Sequence, residues 1–214
     1  MKSNYSPDHL LINVGSGPNT LPGFINLDSC IWLRFLPLLR LFRFLLSSGQ
    51  RRILSKYITA SEKDYIKVCD CRKPLPFKHG TVDHIYSSHF LEHVPYYTAT
   101  HILQDWFKLL KPGSKLTLIL PNFSYSIASY YNGKISLDEL MEESLFVSKY
   151  PRSFLWQAFN SFGVFGLTHL WAYDKSNIKS MLIRAGFSEP EFEKGDLSDP
   201  EIRLTAFKLN STSF

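Results

Sequence analysis

An apolar run that ends in a Gly-x-Gly turn, followed almost at once by a second apolar run that ends in an acid, constrains this chain more than any other feature. The first is Leu11-Ile12-Asn13-Val14-Gly15-Ser16-Gly17-Pro18 and the second Gly23-Phe24-Ile25-Asn26-Leu27-Asp28. Strand, glycine turn, strand, acid is how nucleotide-binding α/β domains begin. The glycines permit a sharp turn and a close approach of backbone to ligand, and a carboxylate at the end of the next strand accepts hydrogen bonds from ribose hydroxyls.

The spacing narrows the ligand. A dinucleotide fingerprint places a third glycine three residues after the second, where this chain has Thr20. Asp28 follows Gly17 by only eleven residues, whereas the dinucleotide-site acid comes about 20 residues on, after a full helix. A Gly-Lys-Ser/Thr phosphate loop is absent from the sequence, so neither a dinucleotide nor a nucleoside triphosphate fits the pattern.

Short apolar runs ending in polar residues continue along the chain, the rhythm of a parallel sheet whose strand ends carry a site. Tyr65-Ile66-Lys67-Val68-Cys69-Asp70 reads as strand three, and Val82-Asp83-His84-Ile85-Tyr86-Ser87-Ser88-His89 as strand four. Lys115-Leu116-Thr117-Leu118-Ile119-Leu120-Pro121 reads as strand five, introduced by a turn at Lys111-Pro112-Gly113. Between four and five the apolar residues Ile102, Leu103, Trp106, Leu109 and Leu110 recur at threes and fours, which predicts a helix over 97–110. A helix over 175–185 and two strands, around 189–194 and 202–209, are expected to close the domain.

These residues carry a family resemblance: the chain resembles the class I S-adenosylmethionine (SAM) dependent methyltransferases, in their branch of small bacterial enzymes. The resemblance runs in family order through Asn13-Val14-Gly15-Ser16-Gly17, Ile25-Asn26-Leu27-Asp28, Asp70 with Pro74-Leu75-Pro76-Phe77, and Ser87-Ser88-His89-Phe90-Leu91-Glu92-His93-Val94. It continues through Leu110-Lys111-Pro112-Gly113 and resumes at His169-Leu170-Trp171-Ala172-Tyr173-Asp174 and Ala185-Gly186-Phe187. It implies a Rossmann-like, doubly wound α/β sheet, mostly parallel with a C-terminal antiparallel strand. On that pattern the turn of Asn13, Val14, Gly15, Ser16 and Gly17 passes beside the methionine part of SAM, and Asp28 takes the ribose hydroxyls. Asp70 and the Cys71 amide meet the adenine edge, while Ser88 and His89 border the sulfonium end.

The sequence departs from the family pattern twice. Asn13 stands where most members have an acid, keeping the hydrogen bonding without the charge. Pro18 to Pro22 leaves room for no more than a turn between strands one and two, so the family's first helix is missing and part of the cofactor wall must come from elsewhere.

With 214 residues and 44% hydrophobic content the chain is expected to form one domain, 1–214, with a sizeable core. Its three cysteines, Cys30, Cys69 and Cys71, lack Cys-x-x-Cys spacing or a matching His cluster, so neither a disulfide framework nor a metal is indicated. The residues Met1 to His9 are polar, and no run reaches the length of a membrane span. A cytoplasmic location follows as the expectation.

The segment from Ile31 to Tyr57 is far longer than an ordinary connection. It carries Arg34, Arg40, Arg43, Arg51, Arg52 and Lys56 and no acid, so these six bases account for the net charge of +5 and the remainder sums to −1. A helix over Leu38 to Ser47 would align Arg40, Arg43, Ser47 and Arg51 in a narrow polar stripe among leucines and phenylalanines, with Pro37 breaking it from 31–36. Two readings of this basic amphipathic insertion, 31–60, stand open. In one it lies on the inner membrane face or covers the acceptor site, with arginines reaching for phosphates. In the other it packs on the sheet in place of the missing helix. The surplus charge sits inside an apolar strip rather than on a basic face with polar contacts, which argues against nucleic acid as partner.

Between Phe123 and Tyr173 lie thirteen aromatics in 51 residues, against 15% for the whole chain. This region is the expected acceptor-side cap, with Tyr125, Trp171 and Tyr173 as first candidates to line it and Tyr130, Tyr131, Trp156, Phe159, Phe162 and Phe165 as further ones. Aromatic faces suit the C–H faces of sugars, an aromatic acceptor or an acyl chain. A hydroxyl acceptor benefits from a base. The candidates are His89 and His93, at the end of strand four, and His169, which ranks first because its surroundings resemble a stretch facing the acceptor in relatives. The expected function is O-methylation of a sugar or lipid-linked glycan. A small natural product as acceptor, or a non-catalytic membrane-peripheral scaffold, are the alternatives.

Overall fold

The computed structural model describes residues 9–29, 38, 41, 44, 48–63, 66–144, 169–193 and 199–210. Its centre is a seven-stranded sheet in the order β3-β2-β1-β4-β5-β7-β6. The strands are β1 (Leu11–Val14), β2 (Ile25–Asp28), β3 (Ile66–Val68), β4 (Val82–Ser88), β5 (Leu110–Pro121), β6 (Glu191–Phe192) and β7 (Glu201–Phe207). The first five run parallel and β7 enters antiparallel between β5 and β6. This is the mostly parallel Rossmann-like fold with an antiparallel C-terminal pair. The strand order turns back between β1 and β4, the place where open α/β sheets bind ligands outside their carboxyl ends.

Between the strands run the helices α1 (Ser48–Lys63), α2 (Tyr96–Leu109), α3 (Phe123–Tyr131), α4 (Leu137–Ser144) and α5 (Lys175–Ala185). The periodicity read in 97–110 is the buried face of α2, where Ala99, Ile102, Leu103, Trp106 and Leu109 pack into the core. That core is built on Ile12, Val14, Leu27, Ile85, Leu116 and Leu118, all fully buried on the central strands. A capping box starts α5. Asp174 accepts the Asn177 backbone N–H at 2.7 Å, the Asn177 side chain accepts in return, and the helix ends on Gly186.

The expected turn at Lys111-Pro112-Gly113 is instead part of β5, which begins at Leu110, directly after α2. Gly113 adopts φ +78° there and donates its N–H to the Lys208 carbonyl. The irregularity between β4 and β5 thus kinks the strand without ending it.

The connection between β1 and β2 is a turn with no helix. Its place over the glycine loop is taken by α1, which buries Leu54, Tyr57 and Ala60. The 48–60 part of the basic insertion therefore packs on the domain, and Arg51, Arg52 and Lys56 stay on its exposed side. Arg34, Pro37, Arg40, Arg43 and Ser47 lie outside the described residues, as do Trp156, Phe159, Phe162 and Phe165 of the aromatic cap. Among the described residues no helix is long and apolar enough to cross a membrane.

Candidate functional site

The glycine turn is held from three sides. Gly15 and Gly17 both take positive φ, +67° and +53°. The Gly17 N–H donates to Asp28 Oδ2 at 2.8 Å, and the Ser16 N–H donates to the Leu27 carbonyl at 3.0 Å. Cys71 sits beside the turn, its buried thiol pushed up by its hydrogen bond with Cys69 and by burial, against a lowering influence of the Gly15 backbone. The ends of β1, β2 and β3 thus meet at one point, joining Gly15, Gly17, Asp28 and Cys71. On the far side lies Phe90: a Cβ on Gly15 would stand 2.7 Å from its ring.

Asn13 looks inward. Its side chain is 1% exposed and donates to Asn26 Oδ1 at 2.9 Å and to the Asn19 carbonyl at 3.2 Å. Asn26 in turn accepts from the Leu21 N–H and donates to the Leu21 and Phe24 carbonyls. Val14 is fully buried. Both residues therefore shape the turn from within the sheet. Asp70 receives the Arg72 guanidinium on both oxygens, at 2.8 and 3.1 Å, and this pairing holds its carboxyl below the usual range against the opposing effect of burial.

These residues fit SAM. A carboxylate can accept from several donors at once, so Asp28, which accepts the Gly17 N–H, is of the chemical kind that takes a ribose diol. The glycine loop exposes backbone at the carboxyl edge of the sheet, where a ligand's approach needs the absence of a Cβ.

At the end of β4 the chain turns through His89, the one non-glycine residue with positive φ (+52°) among those described. Its imidazole spans two acids, with Nε2 3.0 Å from Glu201 Oε1 and Nδ1 3.2 Å from Glu92 Oε1. The Glu92 carboxylate and Glu201 raise its pKa against the effect of burial. Ser88, half-buried, ends the strand beside Ile119. A short 3₁₀ turn, Leu91–His93, follows.

That turn builds the second half of the site. The Glu92 carbonyl accepts the N–H groups of Leu170 and Trp171 at 2.6 and 3.2 Å, pinning the 169–173 segment against it. His93 and His169 meet edge to face, centroids 5.0 Å apart. Glu92, His169, Trp171 and Tyr173 line a recess together with Phe123 and Ser126 of α3. Trp171, 41% exposed, leans on Tyr96 with ring centroids 4.9 Å apart. Tyr173 is buried, its hydroxyl donating to the Leu91 carbonyl at 3.3 Å, and burial next to Glu92 raises its pKa. Tyr125 is half-buried on α3 and is not among the residues lining this recess.

Sequence reasoning missed Glu92, Phe90 and Ser126. The first has a signal: an acid inside Phe90-Leu91-Glu92-His93-Val94, an otherwise apolar run apart from the histidine, is 1% exposed. Burying a carboxylate there demands a reason. Phe90 and Ser126 carry none, because their positions depend on how the elements pack.

The model of the family described as "Methyltransferase domain" matches residues 35–188, most of the chain from after β2 onward. Among solved structures, a SAM-dependent methyltransferase from Methanosarcina mazei is 18% identical with a TM-score of 0.53, over 96% of this chain and 95% of that one. A Bordetella parapertussis protein is 14% identical with a TM-score of 0.52 over 94% of this chain, which spans only 64% of that protein's length. The CurJ carbon methyltransferase is 14% identical with a TM-score of 0.51, over 97% of this chain and 50% of that one. No curated protein matches.

Proposed function

This chain belongs to the methyltransferase domain family, of class I fold, and from that premise we propose that it is a SAM-dependent methyltransferase acting on a hydroxyl of a sugar or lipid-linked glycan. The observation that carries the reading is the placement of the Glu92-His93-His169 cluster. Phe90 packs on Gly15, and the cluster begins two residues later, at the mouth of the recess. Cofactor loop and proton-handling groups are thus joined through one short turn.

Bound SAM supplies a methyl group already activated on a sulfonium. The chain's own task is to hold an acceptor in line with it, which alone removes much of the barrier. An acceptor hydroxyl held in line would take that methyl, with the carbon–sulfur bonding pair staying on the sulfur of the S-adenosylhomocysteine product. The hydroxyl proton goes to the Glu92-His93-His169 cluster, in which Glu92 and His169 border the recess and His93 backs His169. Trp171 offers an exposed aromatic face of the kind that covers the C–H face of a sugar.

The lipid-linked form of the acceptor is supported by a groove on the other side of the glycine loop. There Arg52, Lys56 and Lys63 of α1 face the Pro18–Pro22 turn, and Leu38, Leu41 and Phe44 upstream expose 54%, 68% and 68% of their surface. Bases on one segment together with exposed apolar side chains close before it in sequence suit an anionic lipid surface at the inner membrane face. A small natural product as acceptor would have no use for this groove.

Calorimetric titration with SAM and S-adenosylhomocysteine, with NAD as control, tests the premise. Micromolar binding of the first two and none of NAD is expected, and absence of SAM binding by folded protein overturns the reading in favour of a scaffold. Labelled methyl from SAM then screens glycan and lipid-linked acceptors. Flotation with anionic and neutral vesicles at low salt separates a lipid-linked acceptor from a soluble one.

A further inference from the structure

Glu92 poses a problem that methyl transfer alone does not solve. It is 1% exposed. Its Oε1 pairs with the His89 imidazole at 3.2 Å, which is shared with Glu201, and among the described residues Oε2 accepts no hydrogen bond. Buried carboxylates are found paired, neutralised or coordinating a metal, and one shared imidazole pairs only one of the two oxygens. The same carboxylate faces two imidazoles: one ligand atom each from Glu92, His93 and His169 lie within 4.8 Å of one another.

We propose that Glu92, His93 and His169 form a site for one borderline divalent cation, of which Zn²⁺ is the type, with an open coordination position toward the recess. Two imidazole nitrogens and one carboxylate oxygen are the donor set of a catalytic rather than a structural site, because three protein ligands leave the fourth position vacant for water or a hydroxyl. Donors of this kind disfavour Mg²⁺ and Ca²⁺, which prefer oxygen throughout. Ligand atoms of a tetrahedral site with bonds of about 2.1 Å lie about 3.4 Å apart, so the cluster closes by small side-chain rotations. The backbone is already fixed for this, since the Glu92 carbonyl receives two N–H groups from the segment that follows His169.

The role of such a cation rests on the methyltransferase reading: a hydroxyl at the open position would lose its proton more readily, which is the task assigned above to this cluster. The cation site itself does not rest on that reading.

The test uses the full chain, stripped with a chelator and titrated with Co²⁺ followed by visible absorption, then with Zn²⁺ as competitor. One Co²⁺ per chain with low-symmetry d–d bands, displaced by Zn²⁺ and not by equimolar Mg²⁺ or Ca²⁺, is expected. His169→Gln and Glu92→Gln should each weaken it by on the order of tenfold or more, whereas His101→Gln, on the exposed side of α2, should leave it intact. Circular dichroism reports whether each variant folds, and the partly exposed His169 keeps the test decisive if Glu92→Gln does not. No stoichiometric Co²⁺ in the folded chain, or undiminished binding in His169→Gln, overturns the site. SAM titration of the same samples is a separate readout. Co²⁺ binding without SAM binding upholds the cation site while removing the methyltransferase reading, and SAM binding without Co²⁺ does the reverse.

Discussion

The side chains of Asn13 and Asn26 hydrogen-bond to each other at 2.9 Å inside the sheet, and the pair organises the turn that stands where relatives carry a helix. Asn26 accepts from Asn13 and from the Leu21 N–H and donates to two carbonyls of the same turn. Its amide is therefore fixed in one orientation, with its oxygen toward Asn13.

Restoring the family's acid at this position should consequently harm the protein. In Asn13→Asp a buried carboxylate would face the Asn26 oxygen, and turning that amide would forfeit its bonds to the turn. We expect Asn13→Asp to lose about 2–4 kcal/mol and Asn13→Ala about 1–3 kcal/mol. Urea denaturation followed by circular dichroism ranks the two, and an Asp variant as stable as wild type would contradict this account.

At Asp28 two effects can be separated. Asp28→Asn keeps an oxygen for the Gly17 N–H but loses the charge; Asp28→Ala loses both. If the carboxylate binds the ribose diol, Asn should weaken SAM by about 10- to 100-fold with little change in stability. Ala should weaken it at least as much and also loosen the glycine loop. Equal SAM affinity in wild type and Asn, by calorimetry, would assign Asp28 to loop structure alone.

Much of this was legible in the sequence, and for a physical reason. The strands and α2 declare themselves by side-chain periodicity, and Gly15, Gly17 and Asp28 by residue types that a turn and a diol demand. The capping box at Asp174 is also a local signal. The inward role of Asn13 was not legible, because an asparagine at a strand end serves a ligand or a partner equally well until Asn26 is seen beside it. Glu92 became a candidate only once the fold had buried it and brought His169 from 77 positions away. The strand from Leu110 through Pro112-Gly113 was hidden for the opposite reason: its local sequence favours a turn, and pairing with β4 and β7 overrides it.

Phe90 and Gly15 define a steric couple. Gly15→Ala would meet the Phe90 ring at 2.7 Å and retain φ +67°, costing about 2–4 kcal/mol from overpacking and left-handed strain together. Adding Phe90→Leu should return part of that loss, leaving the backbone strain. A double-mutant cycle by thermal denaturation measures the coupling; strictly additive effects would show that the two do not touch.

His84 gives the fold a pH dependence away from the site. It is half-buried on β4, with Nε2 2.9 Å from Thr117 Oγ1, and burial, aided by Lys115, lowers its pKa from 6.5 to about 4. The unfolded chain takes up this proton as pH falls below 6.5 while the folded chain resists until about 4. Stability is therefore full above the unfolded value and declines on acidification across that window, by about 1–3 kcal/mol once partial exposure is allowed for. Denaturation midpoints at pH 7.5 and 5 should differ in wild type and converge in His84→Gln.

His169 decides whether the recess is where the chemistry happens. Its ring borders the recess and meets His93 edge to face, while the glycine loop and Asp28 lie at the ends of other strands. His169→Gln should hence bind SAM as wild type does and lose about 10²- to 10⁴-fold in turnover, with the acceptor that the labelled-methyl screen yields. Trp171→Ala should behave differently, because an aromatic wall binds the acceptor without handling its proton: KM rises and kcat changes little. If instead His169→Gln turns over fully and Trp171→Ala leaves KM unchanged, the acceptor enters elsewhere, and the groove of Arg52, Lys56 and Lys63 becomes the next place to look.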